Sequence, residues 1–170
     1  MENMEIERKF IVEKLPPDLE SYAFHLIEQA YLNTEPVIRI RRQDQDYYLT
    51  YKSKGLMARE EYNLPLTGEA YCHLLKKADG NIISKKRYLI PLSAPAYREG
   101  AALSAEERST ALTIELDVFS PPFQPLVIAE VEFPSEAAAC AFLLPSWFGE
   151  DVTGQPAYHN SSLSQRKCRT

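Results

Sequence analysis

The chain has 170 residues, of which 45% are hydrophobic and 25% charged, and its formal net charge is −5. These values are typical of a single globular domain over residues 1–170, and the acidic balance excludes a general nucleic-acid-binding surface. The cysteines Cys72, Cys140 and Cys168 are odd in number and far apart, so we expect neither a disulfide framework nor a zinc site. No apolar run approaches the roughly 18 residues of a bilayer span, and the acidic first residues are unlike a secretory signal. We therefore expect a cytoplasmic protein with no membrane partner.

Alternation of period two dominates the chain and predicts β-strands. In chain order these strands are 4–13, 24–33, 36–43, 46–54, 58–66, 81–91, 111–119 and 126–134. Tight turns are indicated at Asp44-Gln45-Asp46 and Lys54-Gly55-Leu56. Many short strands with few helices favour an α+β, mainly β, fold whose antiparallel sheet closes into a barrel.

Helices are predicted after the fifth and eighth strands. Thr67 is a suitable N-cap residue for a helix whose apolar stripe is Tyr71, Leu74, Leu75 and Ala78. Ser135 leads into an Ala-rich helix over 136–144, which Pro145 ends. A terminal helix is expected from Ser161.

Residues 93–110 differ from the rest of the chain. They are loop-like, with a short helix expected from Ser104. A lid, an interface and a tolerated surface insertion remain open for this segment, because long surface insertions cost little free energy.

Charged side chains recur two residues apart along the predicted strands. Residues two apart on a strand share a face. The shared face carries seven acidic and seven basic residues: Glu5, Glu7, Glu61, Glu115, Asp117, Glu130 and Glu132, and Lys9, Arg39, Arg41, Lys52, Arg59, Lys85 and Arg87. The interleaved residues are mostly apolar, so we expect them to pack beneath helices and loops while the charged faces converge on the other side of the sheet.

The like-charged pairs on this face suggest a bound ligand. Pairs such as Glu130/Glu132 and Arg39/Arg41 repel each other unless a counter-charge lies between them. Carboxylate pairs suit Mg²⁺ or Mn²⁺, and Arg and Lys suit phosphate oxygens. A polyphosphate with its metal ion would satisfy both. A solvated outer face of a sheet is the alternative, and it remains open at this point.

A series of motifs runs in order along the chain from Met4 to Leu163. They are Glu5-Ile6-Glu7-Arg8-Lys9, Gln29-Ala30-Tyr31-Leu32, Val37-Ile38-Arg39-Ile40-Arg41, Leu49-Thr50-Tyr51-Lys52, Arg59-Glu60-Glu61, Lys85-Lys86-Arg87-Tyr88, Glu115-Leu116-Asp117-Val118-Phe119, Ala129-Glu130-Val131-Glu132-Phe133, Val152-Thr153 and Tyr158-His159-Asn160. The first resembles the ExExK signature of the CYTH proteins, also called triphosphate tunnel metalloenzymes, and the others follow the same family in order.

This resemblance implies an eight-stranded antiparallel barrel around a charged tunnel, with flanking helices. It implies that the seven basic residues above hold a triphosphate. It also implies that the seven acidic residues hold one or two Mg²⁺ or Mn²⁺ ions, with Glu115 the least certain ligand. By the same resemblance, Lys9 and Tyr31 act together near the reacting phosphate, although Tyr31 as a wall aromatic stays an alternative.

The sequence departs from the family pattern at Asn63, where a second acid of an RxExE motif often stands. With one carboxylate fewer, we expect one metal site to bind its ion more weakly or to prefer a different metal ion. The amide oxygen of Asn63 can still act as a ligand. His25, His73 and His159 are scattered, and we expect surface or hydrogen-bonded histidines rather than catalytic bases.

The expected activity is metal-dependent hydrolysis of inorganic tripolyphosphate to pyrophosphate and phosphate. A class IV-type adenylate cyclase, a thiamine triphosphatase and a non-catalytic polyphosphate- or nucleotide-binding module remain alternatives. Cyclases of this family carry a His-Phe pair shortly before ExExK, and none precedes it here. The expected partner is a small anionic triphosphate, and a homodimer is left open.

Overall fold

The computed structural model describes residues 4–55 and 58–167. Within these ranges the strands are β1 Met4–Ile11, β2 Phe24–Thr34, β3 Val37–Gln43, β4 Asp46–Lys52, β5 Ala58–Pro65, β6 Asp79–Leu92, β7 Leu112–Phe119 and β8 Val127–Glu132. The α-helices are α1 Gly68–Leu75, α2 Ala105–Ser109, α3 Glu136–Ala141 and α4 Asn160–Gln165. Short 3₁₀ helices lie at Leu19–Ser21 and Pro156–Tyr158. Cys72 and Cys140 are free and exposed, whereas Cys168, like Leu56 of the predicted turn, lies outside the described residues.

The eight strands form a closed antiparallel barrel in the order β1-β5-β4-β3-β2-β6-β7-β8. The predicted fold class is therefore confirmed. Each predicted strand overlaps an observed one, and the differences lie at the ends. The strand β1 ends at Ile11 rather than at residue 13, and β6 begins at Asp79 rather than at residue 81.

One seam of the barrel is closed by a segment that is not one of the eight strands. The strand β1 pairs with β5 over Met4–Ile6 and with β8 over Glu7–Ile11. Backbone groups on an antiparallel strand point alternately to its two edges, and beyond Ile6 the edge that faced β5 is taken by residues 149–153, which we call the seam segment. Its Val152 N donates to Lys9 O at 2.9 Å. The seam segment therefore completes the wall where β5 has left β1.

The helix starts follow the predicted capping residues. Thr67 Oγ1 accepts from Ala70 N at 3.1 Å at the start of α1, and Ser104 forms a capping box with Glu107 at the start of α2. The prediction that α3 reaches residue 144 is wrong. The chain becomes extended at Phe142, which bridges Tyr97, so pairing with another segment overrides the helix preference of the local sequence. None of the helices in the described ranges is long and apolar enough to cross a bilayer.

The segment 93–110 packs against α3 and the residues that follow it. Arg98 N donates to Ala141 O at 2.9 Å, and Leu143 N donates to Ala96 O at 2.8 Å. Ser135 Oγ lies 2.5 Å from Glu107 Oε1. These contacts attach the segment to the outside of the molecule and favour a surface insertion over a lid.

The largest hydrophobic cluster lies outside the barrel, between the wall and α3. Its buried members include Phe10, Leu116, Ala129, Val131, Ala138 and Phe142. The expectation that the interleaved apolar residues pack beneath helices and loops is confirmed on this side. It is wrong on β5, where Tyr62 is 43% exposed and Leu64 is 57% exposed, because α1 covers β3 and β4 instead.

A second hydrophobic cluster, which we call the α4 cluster, lies at one end of the barrel. Leu163 of α4 is fully buried there against Tyr31, Ile83 and Ile128. The close approach of α4 to β6 depends on Gly80, which has φ +74°. A Cβ at that position would stand 2.1 Å from Ser164 O, so no larger residue fits without moving the helix.

Candidate functional site

The inward faces of the barrel strands surround a cavity of about 330 Å³. Of the fourteen charged residues predicted for the site, twelve line it, namely Glu5, Glu7, Lys9, Arg39, Arg41, Lys52, Arg59, Glu61, Arg87, Glu115, Glu130 and Glu132. Tyr31 lines it as well. The charged face is therefore the interior of the barrel, and the alternative of a solvated outer face is excluded.

Lys85 and Asp117 lie behind this lining and not at the cavity surface. Both side chains are fully buried and contact each other. Asp117 also accepts from Arg87 Nε at 2.6 Å and from Arg87 Nη2 at 2.7 Å. Burial, together with repulsion from the Arg87 and Arg41 cations, lowers the pKa of Lys85 to about 8, although Asp117 acts to raise it. The two residues hold Arg87 from behind.

On one side of the cavity the charges alternate and neutralise each other. We call these residues, Glu7, Lys9, Arg59, Arg87 and Glu130, the paired wall. Lys9 Nζ lies 2.7 Å from Glu130 Oε1 and 2.9 Å from Glu7 Oε1. Arg87 Nη2 lies 2.6 Å from Glu130 Oε2, and Arg59 Nη2 lies 2.9 Å from Glu7 Oε1. Each charge of this wall is thus compensated within the protein.

The pKa values of the paired wall follow from these contacts. Burial acts to lower the pKa of Lys9, but Glu130 and Glu7 outweigh it and raise that pKa above its usual range. Burial acts to raise the pKa of Glu7, but Lys9, Lys52 and Arg59 together outweigh it and lower that pKa to about 2. Lys9 and Glu7 are therefore both ionised at neutral pH.

On β3, the opposite arrangement is found at Arg39 and Arg41, which we call the arginine wall. Arg39 Nη2 donates to Thr50 Oγ1 at 3.2 Å, and Arg41 donates through Nε and Nη2 to Gln29 Oε1 at 3.0 and 2.8 Å. These acceptors are neutral, and neither arginine forms an ion pair with any residue in the described part of the chain. Both side chains are buried, and Arg39 Nε has no hydrogen-bond partner.

The electrostatics of the arginine wall favour an anion. Burial, followed by repulsion from Arg39 and Arg87, lowers the pKa of Arg41. A buried cation without a counter-charge is costly, and an anion in the cavity would remove that cost. Guanidinium groups bind phosphate oxygens through two parallel hydrogen bonds. The arginine wall therefore suits a phosphate group.

Carboxylates gather at the end of the cavity opposite the α4 cluster. Lys52 Nζ lies 2.5 Å from Glu5 Oε2 and 2.6 Å from Glu61 Oε2. Burial and the neighbouring Glu7 raise the pKa of Glu5 to about 7. Partial burial and the charges of Glu115 and Glu7 raise the pKa of Glu132, which makes no ion pair within residues 4–55 and 58–167. We call Glu5, Glu61, Glu115 and Glu132 the acidic end.

Asn63, which replaces an expected acid, is hydrogen-bonded between the arginine wall and the acidic end. Thr50 Oγ1 donates to Asn63 Oδ1 at 2.6 Å, and Asn63 Nδ2 donates to Glu61 Oε1 at 2.9 Å. Since Thr50 also accepts from Arg39, the amide connects the arginine wall to the acidic end. An acid here would repel Glu61 instead of donating to it.

The structure brings further residues to the cavity that the sequence interpretation missed. His25, Gln43 and Tyr48 line it. Each lies an even number of positions from a predicted site residue or from Thr50 on the same strand and therefore faces inward, so the alternation alone could have found them. His159, Asn160 and Ser161 also line it; they follow the barrel strands, so no strand period marks them, and the family motif Tyr158-His159-Asn160 was the one signal that could have found them. His25 Nδ1 lies 2.6 Å from Asp44 Oδ2 and His159 Nε2 lies 3.3 Å from Thr153 O, so both are hydrogen-bonded as expected. His73 lies on α1 and is exposed.

A closed barrel with an ionised interior and an apolar cluster packed at one end defines a tunnel protein for a small and highly charged anion. The family profile described as "CYTH domain" matches residues 3–138. The inorganic triphosphatase of Nitrosomonas europaea is 36% identical over 163 residues, which cover 94% of this chain and 96% of that protein. The inorganic triphosphatase of Acetivibrio thermocellus is 34% identical over 163 residues, which cover 94% of this chain and 92% of that protein. The chain belongs to the CYTH domain family.

A solved structure agrees with this assignment. The crystal structure of the inorganic triphosphatase NE1496 superposes with a TM-score of 0.64 at 32% identity, and the match covers 96% of this chain and 95% of that one. The structure of the protein PH1012 from Pyrococcus horikoshii superposes with a TM-score of 0.51 at 17% identity, and the match covers 81% of this chain and 82% of that one. The second likeness shows the shared fold alone.

Membership of this family implies dependence on a divalent metal ion. The acidic end has suitable chemistry, because mutually repelling carboxylate oxygens are the donors that hard divalent cations prefer. In the described ranges, no three Asp, Glu, His or Cys side chains are placed so that they could hold a metal together. Lys9, Lys52 and Arg59 form ion pairs with carboxylate oxygens instead, so the residues that would hold a metal ion, Glu5, Glu7, Glu61 and Glu130, would have to exchange some of these partners for it.

Proposed function

We propose that this protein hydrolyses inorganic tripolyphosphate to pyrophosphate and phosphate with the help of Mg²⁺ or Mn²⁺. The observation that carries the proposal is the arginine wall, two buried cations with neutral partners that face carboxylates across one cavity. A metal-bound polyphosphate supplies both counter-charges. The names of the two triphosphatases of similar sequence support the same activity.

Substrate binding is assigned to the cations that line the cavity: Lys9, Arg39, Arg41, Lys52, Arg59 and Arg87. Arg39 and Arg41 bind phosphate oxygens directly, since no acid in the described part of the chain forms an ion pair with either of them. Arg59 and Arg87 share their hydrogen bonds with carboxylates, and they would be available to phosphate oxygens if a metal ion were held by those carboxylates. Lys85 contributes through Arg87, because it lies behind the lining with Asp117.

The metal ligands are assigned to the acids that line the cavity: Glu5, Glu7, Glu61, Glu115, Glu130 and Glu132. Asp117, which was predicted among them, is committed to Arg87 and Lys85 and has no exposed surface. When bound, the metal neutralises phosphate oxygens and so eases the approach of a water molecule to phosphorus.

Lys9 and Tyr31 are assigned to the reacting phosphate. Glu130 and Glu7 keep Lys9 protonated, so Lys9 acts as a cation that stabilises negative charge developing on the phosphate, and not as a base. Tyr31 is buried in the wall beside Arg39, its partner in the β2–β3 register. Its hydroxyl is suited to donate a hydrogen bond to a phosphate oxygen.

The composition of the lining favours a ligand that is charged along its whole length. Among the described lining residues, Val37 and Leu89 are the aliphatic ones, and the rest are charged, polar or aromatic. A nucleoside or thiazole group would need a larger apolar surface than this. Inorganic tripolyphosphate therefore fits the cavity better than an organic triphosphate.

The test is phosphate release from tripolyphosphate, ATP and thiamine triphosphate with Mg²⁺ or Mn²⁺. We expect turnover to be fastest with tripolyphosphate and to be lost in Glu7→Gln, which removes an acid of the lining. Tight tripolyphosphate binding without turnover would instead make the protein a binding module. Formation of cyclic AMP from ATP would make it a cyclase.

A further inference from the structure

Four hydrogen bonds meet at Thr153 in the seam segment. Its N and Oγ1 donate to Asp151 Oδ1 at 3.0 and 2.6 Å. Its Oγ1 accepts from Lys9 N at 3.0 Å, and its carbonyl oxygen lies 3.3 Å from His159 Nε2. Two of the partners, Lys9 and His159, line the tunnel. Thr153 therefore connects the outside of the barrel with two residues of its interior.

The outer end of this connection is fixed by Arg8. Arg8 donates to Asp151 Oδ2 through Nε at 3.2 Å and Nη2 at 2.6 Å, and Arg8 Nη1 donates to Ala139 O at 2.7 Å. Successive residues of a strand point to opposite faces, so Arg8 points outward and Lys9 points inward. We call Arg8, Asp151 and Thr153 the clasp.

One edge of β1 at Lys9 pairs with β8, but β5 does not reach the other edge. Pairing between β1 and β5 ends at Ile6. At Lys9 that edge of β1 is held by the seam segment, through Lys9 N to Thr153 Oγ1 and Val152 N to Lys9 O at 2.9 Å. The hydroxyl of Thr153 is thus a side-chain substitute for the missing strand.

We propose that Thr153, anchored by Asp151 and Arg8, is a positioning residue that sets the place of Lys9 in the tunnel. The inference rests on the proposed function, in which Lys9 contacts the reacting phosphate. Thr153 itself does not line the cavity and acts through the backbone of Lys9. A misplacement of about 1 Å at a reacting group can cost on the order of 100-fold in rate.

The first experiment compares Thr153→Val, Thr153→Ser and Thr67→Val. Thr153→Val keeps the shape but loses the hydroxyl, and Thr153→Ser keeps the hydroxyl. Thr67→Val removes a comparable hydroxyl that caps α1 away from the tunnel. We expect Thr153→Val to lower kcat for tripolyphosphate about 10- to 100-fold with little change in KM. Thr153→Ser should restore most of kcat, and Thr67→Val should lower Tm without lowering kcat.

A double-variant cycle with Lys9→Met separates positioning from general damage. If Thr153 acts through Lys9, Thr153→Val should cause little further loss of turnover once the ammonium group is gone. A full additional loss in the Lys9→Met background would overturn the proposal. An unchanged kcat in Thr153→Val would overturn it as well.

Hydrogen exchange at the Lys9 amide gives a readout that does not depend on turnover. We expect this amide to exchange at least about 10-fold faster in Thr153→Val than in the unchanged protein, and its protection to return in Thr153→Ser. Unchanged protection of Lys9 in Thr153→Val would overturn the proposal whether or not tripolyphosphate is hydrolysed. Loss of protection in a protein that hydrolyses no triphosphate would uphold the clasp and count against the proposed function instead.

Discussion

The paired wall and the arginine wall face the same cavity but compensate their charges in different ways. Glu130 of the paired wall contacts two cations, Lys9 and Arg87. Arg41 of the arginine wall contacts the neutral Gln29. Removing one member of a buried ion pair leaves an uncompensated charge, whereas removing a buried cation that has no counter-ion does not. Glu130 and Arg41 are equally buried, yet replacing them by neutral residues should have opposite effects on the free energy of unfolding.

Glu130→Gln gives the largest expected effect and tests the paired wall. The change leaves Lys9 and Arg87 with less negative charge between them, so we expect the free energy of unfolding to fall by about 3–5 kcal/mol. Urea denaturation monitored by circular dichroism measures it. The control is Glu136→Gln, an exposed carboxylate at the start of α3. Equal stability of the two variants would show that the paired wall is not coupled to folding.

Arg41→Gln tests the arginine wall and should separate binding from stability. We expect the KM for tripolyphosphate to rise about 10- to 100-fold, because a charge-assisted hydrogen bond contributes about 1.5–3 kcal/mol. The free energy of unfolding should stay the same or increase, since repulsion from Arg39 and Arg87 is relieved. Steady-state kinetics and urea denaturation measure the two quantities. A large loss of stability with KM unchanged would reverse the roles of the two walls.

Tyr31→Phe tests a residue that lies beside Arg39 of the arginine wall and is assigned, with Lys9 of the paired wall, to the reacting phosphate. The change removes one hydroxyl and keeps the aromatic ring in the α4 cluster. We expect kcat for tripolyphosphate to fall about 10-fold with KM little changed, as for a neutral hydrogen bond that forms only in the transition state. Unchanged turnover would remove Tyr31 from the mechanism and leave it as a wall aromatic.

Asn63→Glu has the smallest expected effect and adds the acid that the family pattern often carries. A further carboxylate at the acidic end should lower the metal concentration needed for half-maximal activity by several-fold. The cost is the hydrogen bond from Asn63 Nδ2 to Glu61. Titration of activity with Mg²⁺ and with Mn²⁺ measures the change. A higher metal requirement would mean that orienting Glu61 matters more than the added charge.

The strands and the inward-facing charges could be predicted because period-two alternation reports directly which face a residue occupies. Arg39 and Arg41, or Glu130 and Glu132, must share a face wherever their strand lies. Alternation does not report depth within the wall. Asp117 and Glu115 have the same parity, yet Asp117 is fully buried behind the lining and Glu115 lines the cavity.

The seam segment could not be predicted, because its contacts join residues that are far apart in sequence. Lys9 and Thr153 are 144 positions apart, and no local pattern marks 149–153 as a partner of β1. The exposure of Tyr62 and Leu64 was missed for a related reason. An apolar face of a strand indicates that something packs on it, but not which helix or loop does so, or whether one reaches it. The cytoplasmic location and the absence of nucleic-acid and membrane partners stay predictions, and a homodimer stays open.

The proposed function is that this tunnel cleaves tripolyphosphate with a divalent metal ion. The most direct measurement is a ³¹P NMR time course of tripolyphosphate with the purified protein, in Mg²⁺ or Mn²⁺ and in excess EDTA. We expect the tripolyphosphate signals to give way to equimolar pyrophosphate and phosphate with metal, and to persist in EDTA. Tripolyphosphate signals that stay unchanged with both metals would contradict the claim.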